Sequence, residues 1–309
     1  MSLPEPIRRH THPAGVAKAR PCSAVPSRRA AALRIPVTSP LPLQLARWLL
    51  VLLGATLAQG LASDAHAHQS RLDRIIDERR VRVCIWPEYF GMTYRDPATH
   101  ELRGIDIDLA LELGRELNVG VEFVDSSFPR LTKDLLNDNC DVAMFGVGIT
   151  AERAEELRFT SPYLASDIYA VAPRSNRRIN RWDDIDQPGV VVAVAKGTIH
   201  ERVMIDKLRH ARLAVLGSPH AREEAVESGR ADVFITDYPF GHRMVDRSDW
   251  ARLISPGTPY HITPYAWAVA PGDAPWFKRL ETYLRAIKHD GRLVRAARRH
   301  GLEPIVITR

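Results

Sequence analysis

Short apolar runs alternate along the chain with stretches whose apolar residues recur every three or four positions, and the alternation occurs twice. In the first series residues 82–86, 119–124 and 141–145 carry the runs, and residues 106–117 and 130–137 carry the helical spacing. The order β-α-β-α-β predicts an α/β lobe with an open, mostly parallel sheet flanked by helices. In the second series residues 190–194, 213–216 and 232–236 read as strands, and residues 198–209 and 220–228 as helices. Ser218-Pro219 supplies a start signal for the last of these helices and Gly229 a stop. Residues 166–172 and 261–269 are extended and apolar, flank the second series, and read as two crossover strands forming a hinge between lobes. Residues 276–287 and 292–300 return to helical spacing and are expected to rejoin the first lobe.

The two series echo each other. Residues 135–145 and 225–235 each run from a helix through a turn and an aspartate, Asp141 or Asp232, into an apolar strand. This predicts a two-lobed fold, with residues 71–167 and 264–309 in one lobe and residues 172–260 in the other. Open parallel sheets place ligand sites off the carboxyl ends of their strands. Two facing lobes of this kind would share one cleft.

The segment from Asp141 to Tyr163 carries the first candidate chemistry. An apolar strand runs through Gly146-Val147-Gly148 into a short helix begun by Thr150, with Arg153 at about its third position. The N–H groups of a helix start favour acids there, and a capping box would place Glu or Gln at this point. Arg153 therefore needs another partner: a ligand carboxylate, or a surface ion pair with Glu152 or Glu156.

The net charge of +6 changes meaning when divided. Residues 1–67 hold eight Lys/Arg and two acids, so the remainder is formally neutral. A nucleic-acid partner, which would need a basic excess in the folded part, is not expected. Residues 48–62 form an apolar run of about 15, short of the ~20 needed to span a bilayer. Arg47 precedes it and Ala65-His66-Ala67 follows, the pattern of a secretory signal cleaved after Ala67. The basic stretch before the run is longer than an ordinary positive flank, so the true start is expected further downstream. Export to the periplasm follows.

Cys84 and Cys140 remain after cleavage. The strand register sets them about three residues apart, ~10 Å, against the roughly 7 Å that a bridge spans. Two free, buried thiols are expected. No metal site is expected from their spacing, and no cofactor motif is present: Gly146-Val147-Gly148 lacks the third glycine of a dinucleotide fingerprint. Arg292, Arg295, Arg298 and Arg299 form a basic stripe that reads as a solvated helix face.

Five motifs in order resemble the periplasmic solute-binding proteins of amino-acid ABC importers. They are Gly104-Ile105-Asp106-Ile107-Asp108-Leu109, Ile149-Thr150-Ala151-Glu152-Arg153, Phe159-Thr160-Ser161-Pro162-Tyr163, Lys196-Gly197-Thr198, and Ala231-Asp232-Val233 with Asp237. The resemblance implies that Arg153 clamps a ligand carboxylate and that Asp237 meets an ammonium. It implies further that Tyr89 or Trp86 walls the pocket, and that Thr198 offers a hydroxyl or N–H from a helix start. Without it, Asp237 reads as a helix cap and the aromatics as core. Phe145 and Gly148 stand where the family has hydroxyl residues, which shifts a carboxylate onto Arg153 and the backbone around Gly146 and Gly148. The implied partners are a small carboxylate ligand and an inner-membrane ABC permease, for a monomeric receptor.

Residues 184–190 also resemble a cyclohexadienyl (prephenate/arogenate) dehydratase on the same scaffold. That reading, a carbon–oxygen lyase, would make Glu201 the general acid. Thr198-x-x-Glu201 alone reads as a capping box.

Overall fold

The computed structural model describes residues 69–218 and 220–309. The signal segment, its cleavage after Ala67, and Pro219 lie outside these residues. The first lobe begins with helix α1 (Arg71–Asp77) and strands β1 (Arg80–Ile85), β2 (Glu88–Tyr89), β3 (Thr93–Arg95) and β4 (Leu102–Arg103). Helix α2 (Ile105–Leu117), β5 (Gly120–Asp125), α3 (Leu131–Leu136), β6 (Val142–Gly148), α4 (Ala151–Glu156), β7 (Arg158–Phe159) and β8 (Leu164–Ser166) follow. The second lobe holds β9 (Ile168–Pro173), β10 (Val191–Ala195), α5 (Ile199–Lys207), β11 (Arg212–Leu216), α6 (Ala221–Glu227), β12 (Val233–Asp237), α7 (Tyr238–Val245) and β13 (Ala251–Ile254). The chain then returns through β14 (Thr263–Val269), α8 (Ala274–His289) and α9 (Arg292–Arg299).

The first sheet has the order β5-β1-β6-β14-β7, with β8 also on β14; the second has β11-β10-β12-β9-β13. In each, three strands run parallel in the order second-first-third, and the fourth lies antiparallel. That fourth strand is the one that has just crossed from the other lobe. The crossings fall at Asp167 and at residues 255–262. The Asp167 carboxylate ties them together, accepting from the N–H groups of Tyr260 (2.9 Å) and His261 (2.7 Å).

The echo between halves is repeated in hydrogen bonding. Asp141 exchanges its own N–H with the Arg82 carbonyl and accepts the Arg82 N–H on its carboxylate at 2.7 Å. Asp232 does the same with Val191, at 2.8 Å through the carboxylate. Each aspartate extends a parallel ladder by one rung beyond the strand's first residue.

Trp276, Leu280, Tyr283, Leu284 and Ile287 recur every three or four positions and form the buried face of α8. Asp273 caps that helix through the Trp276 N–H (2.9 Å) and also receives the Arg71 N–H, joining the start of the described chain to its end. The arginine stripe is not simply a solvated face. Arg292 reaches Glu112 and Glu116 at 3.2 Å and Arg299 reaches Asp108 at 2.8 Å, all on α2. The α6 start also differs from expectation: the helix begins at Ala221 with His220 (φ 59°) as its flanking residue, and Ser218 contributes only its carbonyl.

Cys84 and Cys140 are joined in a disulfide, their Cα atoms 5.6 Å apart, so the expectation of free thiols is overturned. The register argument extended β6 backward through Cys140. Strand β6 begins at Val142, and the chain bends at Asp141, whose own bonds to Arg82 are the last rung. Cys140 therefore lies in irregular backbone before the bend and not at a strand position, within bridging range of Cys84.

Candidate functional site

The glycine-rich end of β6 and the start of α4 aim Arg153 into the cleft. Thr150 caps α4, accepting the Arg153 N–H at 3.2 Å. The guanidinium turns away from that helix. One terminal nitrogen donates to the Gly148 carbonyl (2.9 Å) and the other to the Gly197 carbonyl (3.0 Å), so a single side chain links the lobes. It lies 5.3 Å from the Phe128 ring centre, within cation–π range. Arg153 has no carboxylate partner among the described residues; Glu152 instead meets Arg202 at 3.2 Å. Burial pushes its pKa down to about 10, which leaves it charged at neutral pH. Two carbonyls occupy two of five N–H groups, and the rest remain for a bidentate anion.

Asp237 ends β12 and is 1 % exposed. One oxygen caps α7 through the Phe240 N–H at 3.2 Å. The other accepts two phenols from the first lobe, Tyr89 and, at 2.7 Å, Tyr265. Burial, with the adjacent carboxylate, pushes both phenols well above their ordinary pKa and keeps them as donors. Trp86 packs 5.4 Å from Tyr89 and 5.3 Å from Phe128, making an aromatic wall. Phe145 is fully buried behind Phe128, at 5.2 Å.

Arg153, Asp237, Thr198, Tyr89, Trp86, Gly146 and Gly148 thus line one inner cavity of ≈ 20 Å³, room for little more than a water. Three of them have partners other than those the resemblance implied, Asp237 taking two phenols and a helix N–H in place of an ammonium. The Gly146 N–H points away, to the Asp106 carboxylate at 3.0 Å, and is not free for a ligand. The Thr198 hydroxyl donates to the Ala195 carbonyl (2.7 Å) and does not cap α5. The expected capping box is therefore not formed. Glu201 reaches past it to the Gly197 N–H at 2.5 Å and lines an adjoining groove of ≈ 660 Å³ beside α4, which Arg153 and Thr198 also line. Gly148 lacks a hydroxyl for a steric reason: a Cβ there would come 2.8 Å from the Thr263 methyl.

Behind the cavity, Asp106 receives Tyr163, Trp267 and the Gly146 N–H. Burial raises its pKa to about 6 against the opposing pull of those three donors. It holds the β6 end in place and does not face the cleft.

Sequence reasoning missed seven lining residues, Phe128 and Tyr265 among them, and two of the seven bear side-chain nitrogens with no partner among the described residues. His200, on the first turn of α5, is 6 % exposed, and neither ring nitrogen has a partner among the described residues. Burial, opposed by Asp237 and assisted by Arg222, brings its pKa down to about 4, so the ring is neutral. Arg222, on the first turn of α6, is 5 % exposed and stacks 4.2 Å from the Phe240 ring centre. Both follow the carboxyl ends of second-lobe strands, the position that could have flagged them. Arg222 also lines an adjoining outer chamber of ≈ 260 Å³. No cluster of three or more metal-binding side chains occurs among the described residues.

A family model described as bacterial extracellular solute-binding proteins, family 3, matches residues 81–303. Cyclohexadienyl dehydratase from Pseudomonas aeruginosa is 29 % identical over 252 residues, covering 81 % of this chain and 92 % of the relative. A putative ABC transporter arginine-binding protein from Escherichia coli K12 is 27 % identical, covering 63 % of this chain and 79 % of the relative. Among solved structures, an ancestral amino-acid-binding protein described as a precursor of cyclohexadienyl dehydratase is similar at a TM-score of 0.69. It is 27 % identical and covers 75 % of this chain and 99 % of its own.

Proposed function

Because this chain belongs to the bacterial extracellular solute-binding proteins, family 3, we propose that it is a periplasmic receptor for a small carboxylate ligand, an amino acid by class. It hands that ligand to an ABC permease at the inner membrane. The observation that carries this reading is Arg153: a half-buried guanidinium at the lobe interface with three N–H groups to spare and no ion-pair partner among the described residues. In this reading a signal cleaved after Ala67 exports the protein, which acts as a monomer. The inner cavity is too small for an amino acid as it stands. The lobes part at Asp167 and residues 255–262, the ligand carboxylate meets Arg153, and the lobes close on it. A ligand adds to closure only through contacts it makes better in the closed state, so both lobes must contribute to holding it.

Arginine- and dehydratase-related relatives are both in view, and one observation favours a second reading. The 29 % identity to cyclohexadienyl dehydratase extends over 92 % of that enzyme. Glu201, implied as its acid, is held by the Gly197 N–H outside the inner cavity. Incubation with prephenate, followed by assay for phenylpyruvate, separates the readings; steady product release overturns the receptor.

The receptor itself is tested by thermal unfolding against a panel of amino acids and small carboxylates. A ligand at a hundred times its Kd stabilises by about 2.7 kcal/mol. Arg153→Ala is expected to abolish that shift while leaving the ligand-free midpoint nearly unchanged. An undiminished shift overturns the clamp.

A further inference from the structure

The inner cavity carries more unassigned donors than one carboxylate can use. We propose that the cleft takes a ligand with two anionic groups, one on Arg153 and the second received by Arg222 and His200. The first half rests on the proposed function; the second stands on separate residues.

Arg222 is buried with an incomplete set of partners. Its Nε donates to Glu223 at 2.7 Å and its Nη1 to the Ile235 carbonyl at 3.2 Å. Its Nη2 has no partner among the described residues, and the side chain lines both the inner cavity and the outer chamber. A buried guanidinium is costly unless its hydrogen bonds are complete. The side chain that carries this open edge lines the space a ligand would fill.

His200 faces the same space with both ring nitrogens unpartnered, at 6 % exposure. A buried polar group in that condition costs free energy until something bonds it. Arg153 and Arg222 both disfavour its protonation, which puts the ring within electrostatic reach of each cation. A neutral imidazole offers one N–H to an anion. The one acid lining the inner cavity, Asp237, is already engaged by two phenols and a backbone N–H. Glu223 bears on the Nε side of Arg222, and the outer chamber is lined by both Glu223 and Glu88 together with Arg130, Lys196 and His220. A ligand seated on Arg153 and extending toward the outer chamber passes His200 and Arg222.

The test is calorimetric and thermal-shift titration of the whole mature chain with matched pairs: L-glutamate and L-glutamine, L-aspartate and L-asparagine, phenylsuccinate and 3-phenylpropionate. At least one two-carboxylate member is expected to bind tenfold or more tightly than its partner. That preference is expected to fall below threefold in Arg222→Gln. Glu223→Gln removes the competing acid, is expected to fold, and should widen the preference. A preference for the singly charged members overturns this inference and leaves the proposed function standing. No response to either class overturns this inference, and the proposed function falls with it only when the full amino-acid and carboxylate panel is also silent. A two-carboxylate preference unchanged in Arg222→Gln and in Glu223→Gln overturns the assignment to Arg222.

Discussion

Tyr89, in the first lobe, donates its phenol to the same Asp237 oxygen that accepts Tyr265, and Asp237 belongs to the second lobe. Both phenols therefore cross the cleft to one carboxylate. Hydrogen bonds to a charged group contribute roughly 1.5–3 kcal/mol each. Together with the Arg153 bond to the Gly197 carbonyl, they hold the lobes shut without a ligand. Tyr89→Phe with Tyr265→Phe is expected to open the ligand-free protein. Small-angle scattering checks this: the radius of gyration should rise above that of the parent, and an unchanged radius would show that the phenols do not hold closure.

Gly197 meets Pro129 across the same cleft. At φ +75° it occupies the left-handed region, and a Cβ there would lie 2.8 Å from the Pro129 Cγ and 2.9 Å from its backbone nitrogen. Proline is rigid and backbone cannot give way cheaply. Gly197→Ala is expected to wedge the lobes apart and weaken binding of any ligand at least tenfold, although residue 197 adds no side chain to the inner cavity. Parent-like affinity by calorimetry would mean that the lobes close in some other register.

The alternation of runs and helical spacing gave away both sheets, because a strand buried on two faces must be apolar and its covering helix amphipathic. The aspartates at 141 and 232 were legible as an echo for the same reason: each stands at a ladder entry. Strands β2, β3 and β4 have two or three residues each, too few to show a period. The disulfide was hidden by a bend at Asp141 that no pattern of hydrophobicity records. Arg153 could be found because it breaks a local rule at a helix start. His200 and Arg222 break none: each is a polar residue on a helix, and only the fold turns those helix starts into the cleft. The Thr198-x-x-Glu201 pattern misled because the Thr198 hydroxyl turned to the Ala195 carbonyl.

The bridge between Cys84 and Cys140 spans a separation of 56 residues and fixes β1 to the irregular backbone before β6. Closing a loop of this kind restricts the unfolded chain and stabilises the fold by roughly 2–4 kcal/mol. Cys84→Ala with Cys140→Ala is expected to lower the stability by that amount, read from urea midpoints, with ligand affinity within a few-fold of the parent. Equal stability of the two forms under oxidising conditions would mean that the bridge does not form in the native protein.

His200 gives the stability a pH dependence with a definite sign. Its pKa is about 4 in the fold against an ordinary value of 6.5. Between those limits the unfolded chain binds a proton that the folded chain refuses. Stability is therefore fully present above about 6.5 and is lost as pH falls toward 4, by at most on the order of 3 kcal/mol. The groups that bear on the ring are Asp237, which favours its protonation, and Arg222, His261 and Arg153, which oppose it. Asp106 works in the other direction: with its pKa raised to about 6, its contribution falls as pH rises from about 4 to 6. The two trends overlap, so the parent's pH profile alone cannot isolate either. His200→Gln removes one of them and leaves the other. The denaturation midpoint of this variant is expected to fall less than the parent's between pH 7 and pH 4.5. A parallel fall in both proteins would mean that His200 is solvated or already paired in solution.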